Sequence, residues 1–191
     1  MKKKQDIIQA AVRIFAEKGF EGTTTLQIAS EARVTEPLIF YHFKGKEGLF
    51  SHILEISFRE YFSRLDTVKR DLGTQFERIK ALLDLHFRLV EEMPDQAYLV
   101  VSTCPAKLNY PEHLCTKNIH LQRERLEAYI ADCLENGIKS GEFQEVPVHE
   151  TANFFIAMIN GLFRQRGLGL DELDGMRDVT VGFCKRSLVK G

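Results

Sequence analysis

Six histidines and four cysteines are the residues of this 191-residue chain whose spacing would carry the most specific chemistry. The histidines, His42, His52, His86, His113, His120 and His149, are scattered. None falls in an HExxH pattern, and neither GxSxG nor a glycine-rich phosphate loop occurs. His113 and His120 stand seven apart with Glu124 near, a spacing that shares one helix face. Pro111 points instead to a loop over 113–116, which removes that face. Cys104, Cys115, Cys133 and Cys184 form no CxxC pair and no metal-ligand spacing, so free buried thiols are expected, with a redox pair between Cys104 and Cys115 as the alternative. No catalytic residue, metal ligand or cofactor follows from these residues.

Residues 35–46, TEPLIFYHFKGK, offer a different chemistry, that of recognition. On a short helix Ile39 and Phe43 lie four apart and point inward together. Glu36, Pro37, Phe40, Tyr41 and His42 then point outward or sideways, followed by Lys44 and Lys46. Exposed aromatics, an imidazole and two cations form an unusual surface for a helix with no partner. The net charge of −1 argues against binding by bulk electrostatics. The first fifty residues hold eight Lys and Arg against six Asp and Glu, and the rest eighteen against twenty-one. Any nucleic-acid contact must therefore be local and geometric.

The preceding residues read as the frame for that segment. Ile8, Ala11, Val12 and Phe15, widened by Ile7 and Ile14, predict a helix over 2–18. Gly19 stops it as a left-handed cap, and Phe20 folds back on its last turn. Thr24 to Gln27 has the pattern of a capping box and opens a helix over 25–32, with Ile28, Ala29 and Ala32 inside. Thr35 is placed to cap the third helix, and Pro37 sits in its first turn. The small Ala29 lets two helices cross closely and Val34 plugs the corner, the offsets of a helix-turn-helix.

Beyond residue 46 the pattern stays helical. Apolar residues on more than one face predict a long helix from Lys46 to about Arg70, and further helices follow over 75–92, from Pro94, over 117–140, 148–166 and 171–189. The two prolines in 104–116 mark an irregular connection. No strand pattern, repeat or low-complexity segment occurs. Hydrophobic residues at 44% exclude a disordered chain, and no apolar run reaches eighteen residues. Asp6, Gln9 and Arg13 interrupt what would be the apolar core of a signal peptide, so a cytoplasmic protein is expected. Residues 153–163 are apolar nearly all round, and the last helix is broadly apolar too. This surplus predicts a subunit interface through Phe155, Ile159, Leu162, Val179 and Phe183.

From Ile8 to Phe50 the chain resembles the DNA-binding domain of the tetracycline-repressor (TetR) family. The match runs without a gap through AAVRIFAEKGFEGTTTLQIASEARV and TEPLIFYHFKGKEGLF, about a quarter of the chain. The resemblance implies an all-α protein of about nine helices. Residues 1–46 would form a three-helix DNA-binding domain and 47–191 a ligand-binding and dimerisation domain. The third helix would enter the major groove by its N-terminal half. Glu36, Pro37 and Tyr41 would face base edges or the adjacent backbone, and Phe40 and His42 the sugar-phosphate wall. Thr25 would give its N–H or hydroxyl to one phosphate, and Lys46 would pair with another.

Three residues depart from the family pattern. Arg33 stands where glycine is usual; if left-handed, it costs on the order of 1 kcal/mol, with an extra phosphate contact as compensation. Phe40 stands where tyrosine is usual. Glu36 replaces a residue often Lys or Gly, and either accepts from a cytosine amino group or restrains non-specific binding.

The function implied is a one-component transcriptional regulator, a repressor that binds a palindromic operator as a homodimer and is released by a small apolar or aromatic effector. A ligand-responsive activator is the alternative, followed by a helical enzyme or a protein-interaction module. The pocket is expected between Gly73 and Phe163, lined by His86, Phe87, Tyr98, Tyr110, Phe154 and Met158, although aromatics at helical spacing also suit an ordinary core.

Overall fold

The computed structural model of the protein describes residues 2–68, 73–102, 104–164 and 175–190. Within them nine α-helices follow in order: α1 (Lys2–Lys18), α2 (Thr25–Glu31), α3 (Glu36–Phe43), α4 (Lys46–Asp66), α5 (Gln75–Glu92), α6 (Pro94–Val101), α7 (Leu114–Ser140), α8 (Val148–Arg164) and α9 (Met176–Leu188). A short 3-10 turn, Ala106–Leu108, precedes α7. Among the described residues no strand forms, and one isolated antiparallel bridge joins Phe143 to Val189. The expected helix limits at Arg70, 166 and 171 lie outside the described residues.

The chain divides into two compact units, residues 1–60 with 95–119, and 61–94 with 120–191. This packing division does not fall at the expected boundary of 46. The start of α4 belongs with the first helices, because Phe50 packs edge-on against Phe15 at 4.9 Å and Phe20 at 5.0 Å.

In the first unit, α1 buries Ile7, Ile8, Ala11, Val12, Ile14 and Phe15, the stripe read from its periodicity. Gly19 is left-handed at φ 70° and its N–H returns to the Phe15 carbonyl at 3.0 Å. The capping box of α2 is complete. Thr24 Oγ1 accepts from Gln27 N at 3.2 Å, and Gln27 Oε1 accepts from Thr24 N at 3.0 Å. Two expectations need correction. Thr35 occupies the cap position of α3, but its side chain makes no capping bond. Helix α7 starts at Leu114 rather than near Lys117, because His113 caps it. The His113 Nδ1 accepts from Cys115 N at 3.1 Å, and its carbonyl accepts from Lys117 N at 3.1 Å.

The expectation of four free thiols is also overturned. Cys104 and Cys115 form a disulfide, with their Cα atoms 6.0 Å apart. Cys133 and Cys184 are buried thiols outside it.

In the second unit, α5 opens with a capping box from Thr74 and Glu77. The Glu142 carboxylate accepts from two further first-turn amides, Gln75 N at 2.8 Å and Phe76 N at 2.9 Å. A Cβ at Gly137 would meet the Phe143 ring at 2.2 Å, so glycine there admits the buried ring. Phe155, Ile159 and Leu162 recur on one face of α8 and are 3%, 0% and 4% exposed. They are core residues of this unit, not part of an open surface as expected. The outward apolar side chains are Phe154 on α8 (53% exposed) and Val179 (69%) and Phe183 (50%) on α9.

Candidate nucleic-acid interface

Helix α3 separates its two faces sharply. Ile39 and Phe43 are buried against the rest of the first unit. Pro37, Phe40, Tyr41 and His42 are exposed, Tyr41 at 74% and Phe40 at 50%. The Tyr41 and His42 rings lie 5.0 Å apart, edge to face, so two of the outward groups form a single ledge. An exposed aromatic ledge on a helix whose other face is fully sealed can be used only by an external partner.

The supports of this helix hold the departures from the family pattern. Arg33, in the turn between α2 and α3, is left-handed at φ 53° and its side chain is exposed. The same turn is closed by Val34 N donating to the Ala29 carbonyl at 2.9 Å. Lys44 ends α3 in the same left-handed region, at φ 64°. That second strained cation was not legible beforehand, and the adjacent Gly45 at φ 111° was its only local signal.

Two anchors expected to face phosphate have protein partners. The Thr25 hydroxyl donates to the Glu36 carboxylate, which ties the start of α2 to the start of α3. Lys46 Nζ donates to the carbonyls of Phe20 at 2.8 Å and Thr23 at 2.9 Å and lies 4.3 Å from the Phe20 ring centroid. It therefore fixes the turn between α1 and α2 first, with one of its three N–H donors left over. Thr25 keeps its backbone N–H at the first position of α2, where no intrahelical acceptor exists.

Sequence reading missed a charged groove between α1 and the turn that precedes α3. Lys2, Lys3, Arg13 and Arg33, with Asp6 and Glu31 among them, line this open groove of about 550 Å³. Arg13 is held there by Glu31. The signal was present in the three consecutive lysines at the start of the chain. Behind α3, the His52 ring lies 5.4 Å from the Phe43 ring. Burial chiefly, and Lys4 next, hold the His52 imidazole below its ordinary pKa, against the raising effect of Glu55.

The residues expected to line a pocket are distributed unevenly. Tyr98 and Tyr110 belong to the first unit, and His86, Phe87, Phe154 and Met158 to the second. His86 and Phe87 are wholly buried, Tyr98 and Met158 half-buried, and Tyr110 and Phe154 exposed. The structure places His86 instead with Tyr61 and Phe163, which sequence reading did not single out. His86 Nδ1 donates to the Leu82 carbonyl at 2.7 Å, which leaves Nε2 to accept from the Tyr61 hydroxyl at 3.1 Å. The Phe163 ring covers the imidazole at 5.5 Å. Burial pushes the His86 imidazole down to about 4, although the bond to Leu82 opposes this, so it is neutral at physiological pH. Burial pushes the Tyr61 phenol up. The Gln122 side chain hydrogen-bonds to Tyr61 and opposes that rise, and Asn160 Oδ1, in the same unit, is buried without a hydrogen-bond partner. Among the described residues no group of His, Cys, Asp and Glu could hold a metal ion, and no helix is long and apolar enough to cross a membrane.

Comparison with known proteins bears on this geometry directly. The family model described as bacterial regulatory proteins, tetR family, matches residues 7–53, which contain all of α2 and α3. The probable HTH-type transcriptional regulator YttP of Bacillus subtilis is 30% identical over 152 residues, spanning 76% of this chain and 69% of that protein. The fatty acid metabolism regulator protein of the same organism is 26% identical over 149 residues, spanning 75% and 72%. The crystal structure of AibR in complex with isovaleryl coenzyme A and operator DNA shares the fold with a TM-score of 0.75, at 18% identity and over 96% of this chain and 97% of that one. YttP and the fatty acid metabolism protein are both named as regulators. With a helix-turn-helix whose third helix is sealed behind and open in front, and with this likeness along most of its length, the chain belongs to the tetR family of bacterial regulatory proteins.

Proposed function

We propose that the protein is a repressor that binds a two-fold symmetric operator as a homodimer in the cytoplasm and leaves it when a small apolar effector binds. The observation that carries the reading is the outward ledge of Phe40, Tyr41 and His42 on a helix sealed behind by Ile39 and Phe43. One such helix reads too few base pairs for specificity, and a second copy spaced about 34 Å or more along the duplex supplies the rest. The surface for that copy is the apolar exposure of Val179 and Phe183 on α9 and Phe154 on α8. Phe155, Ile159 and Leu162 are buried within the same unit.

The effector site is assigned to the second unit, around His86, Phe87 and Met158. The buried, unpartnered Asn160 Oδ1 supports a ligand with an apolar body and a hydrogen-bonding group, because such an atom is costly to leave unmet. The neighbour AibR was crystallised with isovaleryl coenzyme A and a relative is named for fatty acid metabolism, which favours an acyl thioester or a related lipid. Effector binding acts by favouring one of two dimer shapes over the other. The test is a gel shift with the DNA upstream of the protein's own gene, across a range of salt and with acyl-CoA thioesters added. Binding that weakens steeply with salt and is released by a thioester supports the reading. Absence of any shift, with the dimer intact, contradicts it.

A further inference from the structure

We propose that Cys104 and Cys115 form a reversible oxidation site through which a hydroperoxide alters DNA binding, independently of the effector. The proposal rests on the DNA-binding reading of the first unit. A protein whose ligand is chromosomal DNA works in a reducing compartment, where disulfides are characteristically transient and regulatory rather than structural. Here two cysteines eleven residues apart are nevertheless joined.

The position of the bond gives it leverage. It ties the residues after α6 to the first turn of α7, closing a loop that holds only one 3-10 turn of its own. That loop touches α4 at two points. His113 Nε2 lies 3.3 Å from Ser51 Oγ, and Lys107 Nζ lies 3.7 Å from Glu47 Oε1. His113 also accepts the Cys115 N–H through Nδ1, so one imidazole joins the cysteine to α4. One residue along α4 from Ser51, the His52 ring packs on Phe43, the inner anchor of α3. The contacts thus run from Cys115 through His113 and Ser51 to the helix that carries the recognition ledge, all within one compact unit. Opening the bond releases the loop over residues 105–114 and frees His113 to leave Ser51. All four cysteines are buried, but Cys133 and Cys184 stand outside the bond, and burial pushes the Cys184 thiol up to about 11.

The chemistry balances with a hydroperoxide as oxidant. Cys115, in the first turn of α7, attacks one peroxide oxygen as its thiolate. An S–O bond forms, the O–O bond breaks, and the other oxygen leaves as the alcohol, or as water from hydrogen peroxide, taking a proton. The Cys104 sulfur then attacks the sulfenic sulfur, the S–S bond forms, the S–O bond breaks and water leaves. Two electrons pass from the sulfurs to the peroxide. A dithiol reverses the reaction by exchange and is itself oxidised.

The test uses the full chain. Protein reduced with a dithiol, then freed of it, is titrated with hydrogen peroxide. Bond closure is counted by mass after alkylation. Amide exchange over residues 46–56 is measured in both states, as is affinity for a duplex selected by each state from a random library. One equivalent of peroxide is expected to remove two alkylatable thiols. Reduction is expected to speed exchange at 46–56 and to change duplex affinity by about fivefold or more. The Cys104→Ser/Cys115→Ser variant is expected to lose the response to peroxide. Failure of the bond to re-form, equal affinity in the two states, or loss of helical signal on reduction would each overturn the proposal, the last because the bond would then be a structural staple. If neither state selects a duplex while exchange at 46–56 still responds, the DNA-binding reading fails and the redox link to DNA falls with it. If a duplex is selected with equal affinity by both states, the DNA-binding reading stands and only the redox proposal fails.

Discussion

The Thr25 hydroxyl donates to the Glu36 carboxylate, joining the first residue of α2 to the first residue of α3. This bond changes what Glu36 is for. A carboxylate held by Thr25 fixes the angle between the two helices, and its charge lies at the end of α3 that would approach DNA. Glu36→Ala removes both effects, whereas Glu36→Gln keeps an acceptor for Thr25 and removes only the charge. Both variants should bind random duplex more tightly, by an amount on the order of 0.5–1 kcal/mol at low salt, because a repelled phosphate is no longer repelled. Only Glu36→Ala should also lose selectivity across a panel of operator variants. Unchanged binding of random duplex by Glu36→Gln would show that the charge plays no restraining part.

Lys46 is expected to behave as a structural cation before it behaves as a phosphate contact. Lys46→Met keeps the aliphatic stem over Phe20 but leaves the Phe20 and Thr23 carbonyls without their donor. The expected loss is about 1–3 kcal/mol in urea unfolding, with weaker DNA binding in proportion. A variant that unfolds like the parent while losing DNA affinity would return Lys46 to a purely phosphate-binding role.

The buried His86 gives the protein an acid sensitivity of definite sign. Its folded value of about 4 lies below the ordinary 6.5, so the unfolded chain binds the extra proton as pH falls. Stability is therefore full above about pH 6.5 and falls between there and pH 4, by roughly 3 kcal/mol for this group. His86→Gln keeps an acceptor for the Tyr61 hydroxyl and removes the proton site. Urea midpoints of parent and variant at pH 7 and pH 4.5 isolate the difference. A parent no more acid-sensitive than the variant would contradict the assignment.

Neighbouring phenylalanines on α8 should separate folding from assembly. Phe155→Ala empties a core position and is expected to cost about 3–5 kcal/mol. Phe154→Ala should leave the stability of the isolated subunit within about 0.5 kcal/mol. Phe183→Glu places a charge on the exposed apolar face and should yield a folded monomer by sedimentation velocity. A dimer undisturbed by Phe183→Glu and Val179→Glu together would remove α9 from the interface.

What was legible in the chain was local. The stripe of α1, the Thr24–Gln27 box and the Ala29–Val34 corner each depend on residues within a turn or two of one another, so their geometry follows from spacing. The facing of α8 was not legible, because a segment apolar on every side has no preferred inward stripe, and Phe154 and Phe155 differ only in what the fold brings to them. Lys46 reaches carbonyls twenty-three and twenty-six residues earlier, and His86 meets a tyrosine twenty-five residues earlier. Such pairings have no signature in spacing. A separation of eleven residues does not by itself join Cys104 to Cys115; the fold does, by bringing their Cα atoms to 6.0 Å. The same contact explains the early start of α7, since His113 caps the helix while holding Cys115.

Two copies of the outward face of Phe40, Tyr41 and His42 are proposed to read one operator together. Hydroxyl-radical footprinting on a duplex selected by the protein tests it most directly. Two protected half-sites related by a two-fold axis are expected, with centres about one helical turn or a multiple of it apart, together with loss of both when Tyr41→Ala is introduced into a protein that remains folded and dimeric. A single asymmetric patch of protection, or two half-sites that persist unchanged in Tyr41→Ala, would contradict it.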